Sequence, residues 1–156
     1  MIQSLEIKTQ EDLDTLLSFI NDCKKCIYEE NGFDLSTMED KYRKQPWIKH
    51  VINYLTAGKV GDKGMLENSL NELEEYVKKI EKVVINMPYI PSRKFLERIY
   101  SDLKPIVRKE FIIVPKQDDS ISIGARLFCD GTFIDLSLKS RVLSLINKDN
   151  VIGKYL

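Results

Sequence analysis

The chain has 156 residues, with 24 basic and 24 acidic side chains, 43% apolar and 31% charged residues, and only 7 glycines and 5 prolines. That composition excludes a disordered, collagen-like or disulfide-framed chain. Zero net charge excludes a global field that would draw the molecule onto nucleic acid or an anionic membrane. The length suits one ordinary domain or two small ones; as a single domain it would bury roughly 68–70% of its unfolded surface without a disulfide or metal.

Charge is unevenly spread. Residues 1–80 hold 15 acidic and 11 basic side chains, net −4, and residues 81–156 are net +4. The longest apolar runs, Phe111-Ile112-Ile113-Val114 and Val83-Val84-Ile85, fall far short of the ~20 residues of a membrane span. The first residues lack the basic flank and apolar stretch of a signal peptide, and three cysteines without such a signal point to a reducing compartment.

Thr9 followed by Glu11 and Asp12 predicts a helix start, and Leu13, Leu16, Leu17, Ile20, Cys23 and Ile27 recur at spacings of three and four. The first helix is expected over Gln10 to Glu30. Ser36 with Glu39 reads as a capping box for a second, and Pro46 opens a third over Trp47 to Ala57 with Trp47, Val51, Ile52 and Leu55 inward. After the joint formed by Gly58, Gly61 and Gly64, Leu66, Leu70, Leu73, Val77, Ile80 and Val84 follow a heptad-like spacing with Glu67, Glu74 and Glu81 beside them. Such a seam either packs on the first helices or receives a partner helix.

Beyond Ile80 the pattern changes. Val83-Val84-Ile85 is β-branched and closed by Pro88 and Pro91, which predicts a short strand. Ser92 caps a helix with Phe95, Leu96, Ile99, Tyr100 and Leu103 on one face, ended by Pro105. Phe111 to Val114 is a second strand stopped by Pro115. Alternation over Ser120 to Cys129 predicts a third, and Asp130-Gly131 a two-residue hairpin turn into a fourth, Thr132 to Asp135. Ser137 caps a last helix carrying Leu138, Val142, Leu143, Leu145 and Ile146. The expected fold is α+β: a helical unit over residues 1–81, then an α/β unit over 82–156 in the order β-α-β-β-β-α, a small mixed sheet flanked by helices.

Candidate chemistry is sparse. Cys23 and Cys26 form a single CxxC well inside a helix, away from the helix start where a dipole lowers a thiol pKa, and no second pair completes a zinc site. His50 is the only histidine, which removes most acid–base and triad arrangements. The glycines of residues 58–64 do not form a phosphate-binding loop. No catalytic residue, metal or cofactor is expected. Arg93, Lys94, Arg98, Lys104, Arg108 and Lys109 form a basic stretch around Phe95 and Tyr100, which keeps a nucleic-acid-binding face open beside a solvated helix face.

The stretch VVINMPYIPSRKFLERIYSDLK resembles the strand, turn and helix that open the C-terminal domain of the F-type ATP synthase delta subunit family, which includes the oligomycin-sensitivity-conferring protein. The stretch DDSISIGARLFCDGTFIDLSLKSRV resembles that family's DPSLIGGxxxxxGDxxIDxSxxxxL signature without a gap. Asp118, Ser120, Ile121 and Gly124 fall on its first part, and Ile134, Asp135, Ser137 and Val142 on its second. Ile123 stands at the family's first glycine, Asp119 at its proline, and Asp130-Gly131 reverses the turn pair. The resemblance implies a non-catalytic stator component in the peripheral stalk of a rotary, proton-translocating ATP synthase. It would bind no nucleotide or nucleic acid itself, and its partners would be the alpha subunits of the catalytic head and a long stalk helix. Its place would be the cytoplasmic or organellar matrix side, peripheral to the membrane through the complex. Expected partner-binding positions are Leu66, Leu70, Leu73, Val77 and Ile80, with Leu138 and Val142 on the last helix; Asp118, Ser120, Gly124, Asp135 and Ser137 are the motif's structural residues. A small interaction adaptor unrelated to the synthase is the alternative.

Overall fold

The computed structural model describes residues 5–28, 35–57, 63–107 and 109–139. They form five helices and a four-stranded mixed sheet, an α+β fold. The chain divides into two compact units, Met1–Ile80 and Glu81–Leu156.

The first unit is helical: α1 (Gln10–Ile27), α2 (Leu35–Lys41), α3 (Ile48–Ala57) and α4 (Lys63–Lys78). A buried capping box starts α1. The Asp12 N–H donates to Thr9 Oγ1 at 3.3 Å, and Asp12 Oδ2 accepts from the Thr9 N–H at 3.1 Å. These bonds satisfy backbone donors that would otherwise be orphaned, a cap typically worth ~1 kcal/mol. The inward stripe is Leu13, Leu16, Phe19, Ile20, Cys23 and Ile27. Leu17, expected inward, is half-buried, and Phe19 takes its place because its ring meets Tyr42 and Trp47 edge-on at centroid distances of 5.3 and 5.7 Å.

Local patterns were overridden at three places in this unit. Ser36 lies inside α2 and is not its cap. Ile52 is only half-buried in α3, since Ile48, Val51 and Leu55 already fill its inner face. The heptad-like seam ends early: α4 stops at Lys78, a turn closes through the Ile80 N–H to the Val77 carbonyl, and Val84 belongs to a strand. β-Branched residues favour the pleated backbone once a sheet is there to receive them.

In the second unit β1 (Glu81–Met87) leads through α5 (Arg93–Leu103) to β2 (Phe111–Gln117), and β3 (Arg126–Cys129) and β4 (Thr132–Asp135) form a hairpin. The order is β2-β1-β3-β4, with β1 parallel to β2 and antiparallel to β3. Val83, Ile85 and Met87 alternate into a core with Leu96, Phe111 and Ile113. Tyr100 stacks on Phe111 at 4.7 Å. Strand β2 runs through Pro115 and does not stop there: it is an edge strand, where the missing N–H costs no ladder bond on its free side.

The third strand begins at Arg126, six residues later than the alternation predicted. Residues 118–124 are a turn and bends, and Gly124 at φ +103° carries the chain into the strand. Asp130 and Gly131 both have positive φ, the requirement of a two-residue hairpin turn of the primed type. Leu138 and Lys139 are helical; Val142 and the rest of the expected last helix lie outside the described residues.

Candidate functional site

Three motif residues, Asp118, Ser120 and Asp135, converge on one side chain, and two more, Gly124 and Ser137, lie in the same joint. Arg126 sits on β3, opposite Asp135 in the hairpin register. Its Nη1 donates to Asp118 Oδ2 at 3.2 Å and to Ser120 Oγ at 3.0 Å, and its Nε lies 3.5 Å from Asp135 Oδ2. The other oxygen of each carboxylate holds local backbone. Asp118 Oδ1 accepts from the Ser120 N–H and hydroxyl at 3.0 and 2.6 Å, and Asp135 Oδ1 accepts from the Ser137 N–H at 2.8 Å. Hydrogen bonds from Ser120 and then the Arg126 charge hold the Asp118 carboxyl below its ordinary range; Ser137 and then Arg126 do the same for Asp135. Each pair is about a quarter exposed, so screening is only partial.

Gly124 completes the arrangement by close approach. A Cβ at this position would stand 2.5 Å from the Leu136 carbonyl oxygen and 2.7 Å from Ser137 Cα. The absent side chain lets the loop lie against the exit of β4, where the Leu136 N–H donates to Ala125 and the Leu138 N–H to Ile123, each at 2.9 Å. Asp118, Ser120, Gly124, Asp135 and Ser137 are therefore parts of one joint. Arg126 was missed by sequence reasoning, because in a period-two strand it reads as an outward polar residue. The available signal was the two acidic motif positions, which leave a charge to be matched.

Beside this joint is a cleft of about 410 Å³. One wall is Met87, Pro88, Tyr89 and Phe95, at the carboxyl end of β1 and the start of α5; the other is Ser122 to Ala125 and Leu136. Phe95, expected on the buried face of its helix, is 41% exposed because it faces this cleft instead of the sheet. Helix α5 packs on β2, and its core cluster reaches β1, while the hairpin end of the same face is open: Leu127 is half-buried and its register partner Ile134 is 49% exposed. Leu136 and Leu138 continue this apolar strip at 45% and 47% exposure. On the opposite face Phe128 and Phe133 pair across the hairpin with ring centroids 4.7 Å apart.

The other expected partner positions behave differently. Leu70, Leu73 and Val77 are buried in the core of the first unit, where α4 packs on α1, and Leu66 and Ile80 are half-buried at its ends. A Lys24–Glu74 ion pair, extended by Lys78, ties α4 to α1. Leu70, Leu73 and Val77 thus take part in packing within the first unit.

The remaining candidates are solvated or inert. The Cys23 thiol, fully buried, is pushed up to about 12 by desolvation, so it is neutral and packs as a small apolar group. Among the described residues no three His, Cys, Asp or Glu side chains come together as metal ligands. His50 is exposed on α3. In the basic stretch Arg93 pairs with Glu97 at 3.2 Å, Lys109 with Asp130 at 3.1 Å, and Lys104 lies over the Tyr100 ring. Arg108 lies outside the described residues. None of the described helices is long and apolar enough to cross a membrane. No family model matches this sequence, and no curated protein matches it.

Proposed function

We propose that this chain is a non-catalytic stator component of a rotary ATP synthase, a peripheral-stalk protein linking the catalytic head to a long stalk helix. The observation that carries the proposal is the convergence on Arg126. The residues on which the resemblance to the delta subunit family rests, Asp118, Ser120, Gly124, Asp135 and Ser137, share one structural task. Chance similarity would not require widely spaced matches to meet. The order β-α-β-β-β is the one that the residue patterning predicted.

The surface suits such a role. The apolar strip of Ile134, Leu136 and Leu138 beside the Phe95 cleft is of the kind that takes one face of an amphipathic helix, where i, i+3 and i+4 side chains anchor in a groove. A stator transmits torque by packed contact and needs no reacting group. Its association with the membrane would come through the complex.

The test is capture of the tagged protein from its own cells in mild detergent, with co-purifying chains identified by mass spectrometry. Recovery of the alpha and beta catalytic subunits together with a long helical stalk protein, near one copy of this chain per complex, is the expected result. Absence of those subunits under conditions that keep the ATPase intact would overturn it. The same apolar strip would then belong to an interaction adaptor.

A further inference from the structure

We infer that Arg126 is the positioning residue of the cleft: a latch that holds its loop wall, residues 122–125, against the β4 exit at Leu136. The loop wall is anchored at its start by Asp118 and Ser120, and the exit by Asp135 and Ser137. Arg126 reaches both anchors, hydrogen-bonding Asp118 and Ser120 through Nη1 and forming an ion pair with Asp135 through Nε. The planar guanidinium with its fixed fork of donors can do this at once; a lysine ammonium is a point charge that satisfies one anchor or the other. Gly124 supplies the close contact and Arg126 the charge that keeps it closed.

The latch acts through side chains, while the Arg126 backbone keeps its place in the sheet between Asn86 of β1 and Asp135 of β4. The β1–β2 ladder and the core of Val83, Ile85, Leu96, Phe111 and Ile113 contain none of the latch residues. Releasing Arg126 should therefore free the cleft walls locally and leave the sheet intact. The latch deepens the docking proposal, since it sets the shape that a partner helix would meet. Its test uses no partner, so a failed capture and a failed latch are told apart.

The experiment is amide hydrogen exchange on the full chain, comparing wild type with Arg126→Met and Arg126→Lys. In Arg126→Met, exchange at the Ser120, Leu136, Ser137 and Leu138 amides should rise by roughly tenfold or more, while β1 and β2 amides keep their protection. Arg126→Lys should restore protection on one wall only. Unchanged exchange at the four amides overturns the latch, and so does an equal rise throughout the second unit, which would make Arg126 a general stabiliser. If Arg126→Met does not fold, the paired Asp118→Asn and Asp135→Asn variant reads the same amides, with the same outcomes deciding.

Discussion

The two units solve the burial problem in opposite ways. In the first, four short helices surround an aromatic centre. Trp47, Phe19 and Leu16 are fully buried, and the apolar seam of α4 packs on α1. Among the described residues of the second, the inner face of β1 and the first half of β2 are buried beside the eleven-residue α5, while β3 and β4 keep apolar side chains exposed on both faces. A closed core has its apolar surface in use for stability; a half-covered sheet holds some in reserve for contact. The place to look for function in this protein is the unit with the less complete core.

Substitutions can break that comparison. The largest effects belong to the first unit. Leu73→Ala and Trp47→Ala should each destabilise by about 2–5 kcal/mol through lost transfer energy and a cavity, measured by urea unfolding followed by circular dichroism. A loss under 1 kcal/mol for Leu73→Ala would mean that the seam is not core. Next comes Gly124→Ala, where a side chain at φ +103° meets the Leu136 carbonyl; about 1–3 kcal/mol is expected, with the damage confined to the second unit. Thr9→Ala removes the α1 cap and should cost ~1 kcal/mol.

A pH series sharpens the contrast without a new fold. The folded-state pKa values of Asp118 and Asp135 are depressed, so their contribution is present above the ordinary carboxylate pKa of about 3.9 and is lost as pH falls through the folded values. The difference in amide exchange at Leu136 and Leu138 between wild type and Arg126→Met should accordingly be visible at neutral pH and shrink in acid. A difference that persisted at the lowest pH would assign the Arg126 effect to packing. The smallest effect is predicted at the exposed hairpin: Phe133→Ser should change stability by no more than about 0.5 kcal/mol. A large loss there would show that this face is core and remove it from the contact surface.

Much of the fold was legible because it rests on local periodicity. The α1 cap, the switch from helical spacing to β-branched runs after Ile80, and the Asp130-Gly131 turn each depend on a few neighbouring residues with one low-energy solution. The boundaries that moved were those decided by partners far along the chain. Pro115 stays in its strand because β2 is at an edge, and Ser120 to Gly124 leave the strand because Asp118 holds Ser120 in a turn and the Leu138 N–H binds the Ile123 carbonyl.

The candidate site was half legible. Its motif positions could be singled out as a pattern, since spacing survives in a linear chain. Their common partner could not: Arg126 matters only because hairpin register sets it against Asp135 while a loop returns Asp118 to its other side. Likewise the α4 seam and the Ile134–Leu138 strip look equally apolar as text. Which of them is covered depends on where α1 and α5 lie, and helix placement is decided by total burial over the whole chain. The sequence by itself determined the class of fold, the start of α1 and the hairpin turn, because hydrogen bonding and backbone sterics act over a few residues. Only the tertiary structure decided which of the described apolar side chains are spent on the core and which are left exposed, because the hydrophobic effect has no direction along the chain.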